Sequence, residues 1–239
     1  MSGRLEKALS IILTASAVAM AVSLVQRTFF ENPAPGRRPS VSDDPVFLSG
    51  WGELVGQGVL VGSRLAPVQV VVFSDLQCPF CKQFHHSLMA SVREHGARIA
   101  FTFVHFPLSG HQYAPDAAKA AQCAESQGAF SSFLDVVFAK QDSLGHKTLE
   151  SYAFEAGVTD TTRFRMCFSD TGADSMVMRG LALGQSIQVA GTPTVIVNGW
   201  RFPTTPPDTQ FRRVVSDVLA GTSPFQRRRW IIARLWNRD

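Results

Sequence analysis

The strongest apolar pattern in the chain is VQVVVFS, residues 68–74. A nearly unbroken run rich in β-branched residues predicts a strand buried on both faces. Farther on, Phe84, Leu88 and Val92 recur at steps of four within residues 82–95, which predicts a helix. RIAFTFVHF, residues 98–106, predicts a second strand. Strand, helix, strand in that order is a βαβ unit, most simply with parallel strands. Upstream, residues 46–61 carry no single period, although GVLVGS suits a short strand ending at Gly62.

A helical block follows. Residues 114–127 are alanine-rich, and Pro115 fits a first helical turn. Phe130, Phe133, Leu134, Val137 and Phe138 form the stripe of another helix. Residues 149–156 predict a shorter one, Asp160 an N-cap for a segment reaching Phe168, and residues 173–187 a last helix. TPTVIVNGWRF, residues 192–202, reads as strand, Asn-Gly turn, strand. Residues 208–220 close the fold as a helix. There is no internal repeat. The order is βαβ, an inserted bundle, then ββα: an α/β domain around one sheet.

The two ends of the chain differ from this body. Residues 8–25, ALSIILTASAVAMAVSLV, hold no charge and follow Arg4 and Lys7. That length is short for a membrane span and long for a signal-peptide core. Because the apolar run continues past its small-residue cleavage patterns, residues 1–27 read as a signal anchor, with a cleaved signal peptide as the alternative. Either places the body outside the cytoplasm, in the periplasm or on the outer face of the cell membrane, and secreted if the segment is cleaved. Residues 28–57 read as a flexible linker; ENPAPGRRPSVSDDP contains four prolines. Of the net charge of +4, residues 211–239 alone contribute +5, so everything before them sums to −1. The basicity is a tail, not a nucleic-acid face. Residues 222–239, ending QRRRWIIARLWNRD, read either as an interfacial helix on anionic lipid or as a solvated terminus.

The chemistry concentrates in FSDLQCPFCKQFHHS. A Cys-x-x-Cys pair that opens a helix meets unpaired N–H groups and a partial positive charge, which stabilise a thiolate at Cys78. Cys81 sits one turn on, placed to resolve a mixed disulfide. Pro79 suits the first helical turn and Phe80 adds no charge. A zinc site needs a second pair at suitable spacing, and Cys123 and Cys167 stand alone. His85 lies four residues after Cys81, yet His85 and His86 read as exposed helix histidines beside a groove rather than as ligands. No metal and no cofactor is expected.

VVVFSDLQCPFCKQF followed by GTPTVIVNG resembles the DsbA-like thioredoxin-fold thiol–disulfide oxidoreductases, and HFPLSGHQYAPDAAKAAQCA is similar to the start of that family's inserted helical domain. The resemblance implies a thioredoxin-like fold over residues 58–221, with the helical insertion at about 111–188. It implies that Cys78 is the exposed attacking cysteine, Cys81 its buried partner, and Pro193 a cis-proline facing the pair. Thr192 before it would bind extended substrate like an added strand and modulate the thiolate. Members of the wider family often keep a buried acid six residues before the first cysteine. Here that position is Val72, which leaves water, Asp75 or another group to handle the Cys81 proton.

The resemblance also implies a structural disulfide between Cys123 and Cys167; two buried thiols or a second redox relay are the alternatives. It implies a monomer that oxidises thiol-containing exported proteins. A quinone-linked membrane partner, DsbB-like or vitamin K epoxide reductase-like, would re-oxidise it. A reductase or isomerase would use the same residues, but isomerases of this group add a dimerisation domain and residues 46–61 are too short for one. A non-catalytic thioredoxin-like binding module is the reading from another class.

Overall fold

The computed structural model of the protein describes residue 16, residues 18–22 and residues 44–225. The chain divides into two compact units, Met1–Val41 and Ser42–Asp239. In the first, residues 18–22 are helical and exposed. Among the described residues no helix is long and apolar enough to cross a membrane. Most of the expected anchor, the linker up to residue 43 and the tail from residue 226 lie outside the described residues.

The second unit is built on six strands: β1 (Val46–Phe47), β2 (Val59–Val61), β3 (Val68–Ser74), β4 (Ile99–His105), β5 (Thr194–Val197) and β6 (Trp200–Arg201). They form one sheet in the order β1-β6-β5-β3-β4-β2. β3 lies inside it, parallel to β4 and antiparallel to β5. Its apolar run has a simple cause, because alternate side chains enter different cores. Val68, Val70 and Val72 pack with helix α1 (Pro79–His95) and helix α7 (Asp208–Leu219), where Phe84 and Phe211 meet edge to face. Val71 and Phe73 enter the opposite core with Leu54, Val55 and Ile196, against Leu181 and Ile187.

Between β4 and β5 come α2 (Ala114–Glu125), α3 (Phe130–Ala139), α4 (Leu149–Glu155), α5 (Thr161–Ser169) and α6 (Thr171–Ser186). Asp160 caps α5 through the Arg163 amide, and Asp170 accepts from the Thr171 amide at the start of α6. That second cap explains why α6 begins two residues before the expected position. Cys123 of α2 and Cys167 of α5 are bonded. α6 returns against the sheet so closely that a Cβ on Gly180 would lie 2.3 Å from the His105 carbonyl oxygen. Arg201 donates to the carbonyls of Ile187 and Gln188, which ties the end of α6 to the β5–β6 hairpin. The hairpin turns through Asn198 and Gly199, both at positive φ, as a two-residue Asn-Gly turn requires.

Residues 46–57, expected as the end of a flexible linker, fold onto the sheet instead: β1 pairs with β6, and a 3-10 turn at Trp51–Leu54 brings Leu54 and Val55 into the core. Phe225, just before the undescribed tail, packs on Trp200 and Phe202 of the hairpin.

Two stability outcomes follow from this packing. Gly180→Ala should destabilise the fold by about 1–3 kcal/mol, because backbone meets backbone there and neither side yields easily. Replacing Cys123 and Cys167 together by Ala should cost up to about 4 kcal/mol, the loop-closure value for their 44-residue separation. Urea unfolding of each variant against wild type measures both. No change in midpoint for Gly180→Ala would show that α6 does not hold this close approach in solution.

Candidate active site

Seven residues of β3 end at Ser74, and α1 begins at Pro79. The four residues between must reverse the chain and present Cys78 at the helix N-terminus. Asp75 organises this turn. Its carbonyl accepts from the Cys78 amide at 3.2 Å, and its carboxylate accepts from the Gln77 amide at 2.7 Å. Gln141, buried between α3 and α4, donates to the carbonyls of Leu76 and Cys78 at 2.8 and 3.0 Å. The Gln77 side chain accepts from the Tyr113 amide at 2.7 Å. Loops distant in sequence thus fix the backbone on which the sulfur stands.

Cys78 is the N-cap of α1 and Pro79 occupies the first turn. Across the site, the Thr192–Pro193 peptide is cis, and Cys78 Sγ donates to the Thr192 carbonyl at 3.4 Å. The register explains the meeting: Phe73 pairs with Thr194, so the start of β5 lies beside the end of β3. Phe80, between the cysteines, is 60% exposed.

The two thiols differ sharply. Both are free in this structure. The Cys78 pKa is lowered to about 5, first by the hydrogen bond from Cys81, then by the Cys81 amide, Thr192 and the Phe80 amide, with burial opposing. Cys81 is pushed well above the ordinary thiol value, chiefly by burial and then by its bond to Cys78; Ser74 and the Asp75 amide pull the other way. The Asp75 amide lies 3.4 Å from Cys81 Sγ. One negative charge is therefore stabilised on the outer sulfur and resisted on the inner one.

Some expectations need correction. Cys78 is not openly exposed; it is 3% accessible, because the sulfur is turned toward Thr192. His85 is not an exposed groove histidine. With Cys81, Phe84 and Leu88 it lies on the buried face of α1, packs at a tilt against Phe138 and meets Asp135 at 2.6 Å. His86 alone is exposed. Among the described residues no group of three or more His, Cys, Asp or Glu is arranged to hold a metal ion.

Ser74, Gln77, His111 and Gln141 were not picked out from sequence. His111 had a signal, as one of few titratable side chains in the loop between a buried strand and the next helix. Gln141 had none.

A sequence model of the thioredoxin family matches residues 55–217. Among curated proteins the chain is 35% identical over 141 residues to Na(+)/H(+) antiporter NhaA 3 of Salinispora tropica, covering 59% of this chain and 21% of that protein. It is 33% identical over 162 residues to Na(+)/H(+) antiporter NhaA 1 of Salinispora arenicola, covering 67% and 24%. The chain thus spans about a quarter or less of the relatives it matches. Among solved structures, a thioredoxin-like oxidoreductase from Silicibacter pomeroyi matches with a TM-score of 0.61 at 20% identity, over 74% of this chain and all of that one. BdbD from Bacillus subtilis matches at 0.60 and 22%, over 69% and 94%. The alpha-DsbA1 of Wolbachia pipientis matches at 0.58 and 20%, over 68% and 90%. At such identity the likeness is one of fold: a DsbA-like thioredoxin fold carrying its helical insertion.

The lowered Cys78 pKa has a direct readout. Alkylation of the reduced protein by iodoacetamide should occur first at Cys78 and reach half its plateau rate near pH 5. The folded pKa lies below the unfolded value of 9.0, so this thiolate stabilises the reduced fold fully above pH 9 and the contribution fades as pH falls through 5. A Cys78 alkylation midpoint at the ordinary thiol value would contradict this geometry.

Proposed function

The chain belongs to the thioredoxin family, and we propose that it is an extracytoplasmic thiol–disulfide oxidoreductase that introduces disulfides into exported proteins. The observation that carries this reading is the asymmetry of the two sulfurs: Cys78 lowered to about 5 at a helix N-terminus, Cys81 buried and raised. A strongly stabilised Cys78 thiolate favours the reduced form, which makes the Cys78–Cys81 disulfide a good oxidant.

In the oxidase direction a substrate thiolate attacks Cys78. The Cys78–Cys81 bond breaks and Cys81 receives the electron pair. A second substrate thiol then attacks the mixed disulfide, releasing oxidised substrate and the reduced pair. Thr192 and Pro193 border Cys78 and offer backbone against which an extended substrate can lie, with exposed Phe80 beside it.

The location is part of the proposal. The apolar run at residues 8–25 and the proline-rich tether suit an anchored body outside the cytoplasm. The bonded Cys123–Cys167 pair suits an oxidising compartment. The relatives named as antiporters belong to a class that works across a membrane, which agrees with a membrane-proximal site of action. Within this reading the protein works as a monomer, and a quinone-linked membrane protein re-oxidises it.

Equilibration of the pair in glutathione buffers tests the direction. The expected reduction potential lies near the DsbA value of about −120 mV, whereas one near the thioredoxin value of about −270 mV would assign a reductase. Cys78→Ser should abolish oxidation of a reduced model protein, and full dithiol oxidation by that variant would refute the assignment.

A further inference from the structure

This inference rests on the reading of Cys78 and Cys81 as the redox pair. Cys81 is 1% accessible, so its proton cannot exchange directly with bulk water. Yet it must lose that proton to attack a mixed disulfide at Cys78, and gain one when it is released. Val72, six residues before Cys78, is apolar, buried and paired with Val195. A different group has to serve.

Ser74 and the Asp75 amide both hydrogen-bond Cys81, and of these two residues only Asp75 carries an ionisable side chain. Its side chain is 0% accessible, and its own amide lies 3.4 Å from Cys81 Sγ. The carboxylate therefore sits only a few bonds from a nitrogen that touches the sulfur. One carboxylate oxygen accepts from the Gln77 amide. The other accepts from the Leu108 amide at 2.8 Å and from His111 Nδ1 at 2.7 Å. The His111 side chain is 26% accessible. An imidazole thus connects a fully enclosed carboxylate, on the residue whose amide touches the buried thiol, with solvent.

A structural role alone explains part of this, because two amides from separate loops need oxygen acceptors. It does not explain why the acceptor is an ionisable group with an imidazole as third partner. The other titratable groups nearest in chain and register are Cys78, Lys82, His85, Tyr113 and His105; His85 shares the buried face of α1 with Cys81, and its imidazole is hydrogen-bonded to Asp135 at 2.6 Å. His105 pairs in register with Ser74, but its ring is enclosed by Phe103 and Phe130 and neither nitrogen has a hydrogen-bond partner among the described residues. It has no contact that leads to solvent.

We propose that Asp75 and His111 form the proton-handling pair for Cys81, taking its proton when it attacks a mixed disulfide and returning one when it leaves. In the resolving direction, the Cys81 thiol gives its proton to the pair and its sulfur attacks Cys78 Sγ. The Cys78–substrate S–S bond breaks, and the substrate leaves as a thiolate with the electron pair. The Asp75–His111 pair gains one proton, whichever of its atoms holds it, and His111 returns that proton to solvent. Release of Cys81 by an attacking thiolate runs the same transfer backwards.

Reaction of the full-length reduced chain with oxidised glutathione separates the steps. Cys78 first forms a glutathione mixed disulfide, and Cys81 then expels glutathione. Acid quenching and intact-mass measurement follow both. Asp75→Asn and His111→Asn are compared with wild type from pH 5 to 10; in the second, the Asn amide can still donate to Asp75, so the loop keeps its bond if Asp75→Asn fails to fold. Because Asp75 also holds the turn that presents Cys78, capture is measured alongside as the control for the position of that sulfur, and resolution should fall far more than capture. Resolution at pH 7 should slow by about a hundredfold, the scale of a lost general base, and the gap should close toward pH 10 as hydroxide replaces the pair. A wild-type adduct that resolves while the variants share its pH profile overturns this proposal alone, as does uniform slowing at every pH. A wild-type adduct that never resolves overturns the oxidoreductase reading and the proposal with it.

Discussion

The site exists only where the end of β3 meets the start of β5. Cys78 follows β3 by four residues, and Thr192 precedes β5 by two, yet 114 residues of chain separate them. The antiparallel register that sets Phe73 opposite Thr194 brings them together. That register is strongly held, because both faces of β3 are buried: a one-residue slip would exchange Val70 and Val72 with Val71 and Phe73 between two differently shaped cores. The hydrogen bond between the Cys78 sulfur and the Thr192 carbonyl is thus a consequence of sheet packing.

The helical insertion enters this scheme as a support. α2 to α6 interrupt the chain between β4 and β5, and the insertion could have been an independent appendage. Instead Gln141 reaches back from it to two carbonyls of the active-site turn, and Tyr113 anchors Gln77. Buried polar groups of this kind are costly unless bonded, and these are bonded to the turn's backbone. Displacing the insertion would leave the carbonyls of Leu76 and Cys78 without these partners, so the position of the attacking sulfur is coupled to the packing of the helices.

What could be read from the sequence divides along the range of the interactions. β3, β4 and α1 were legible because their signals are local: β-branched runs, a step of four, and a proline at the first turn. The stripe Cys81, Phe84, His85, Leu88 also spells a buried helix face, so the burial of His85 is legible in the same period that joins Phe84, Leu88 and Val92. β1 was not legible, since two residues become a strand only by pairing with β6. Gln141 was not, and at His111 the sequence shows only a titratable side chain in a short loop, because their roles are hydrogen bonds to Cys78 and Asp75, 63 and 36 residues away. No propensity or period encodes a bond of that span. The low accessibility of Cys78 belongs to the same class, since the partner toward which it is turned lies across the sheet.

Asp75 shows how these ranges meet in one residue. In sequence it is a polar residue just past a strand, one of several candidates for handling the Cys81 proton. In the fold its amide touches the inner sulfur, its carbonyl fixes the amide of the outer cysteine, and its carboxylate holds the loop after β4. A serine or asparagine could satisfy some of these bonds, but not with a charge. Placing an ionisable group where the side chain is fully enclosed carries a desolvation penalty that polar partners only offset. Two amides and an imidazole surround this carboxylate, which is the degree of satisfaction such a group requires. The turn that presents Cys78 is therefore organised around an enclosed carboxylate, and the amide of that same residue touches Cys81, the sulfur whose ionisation the surroundings resist.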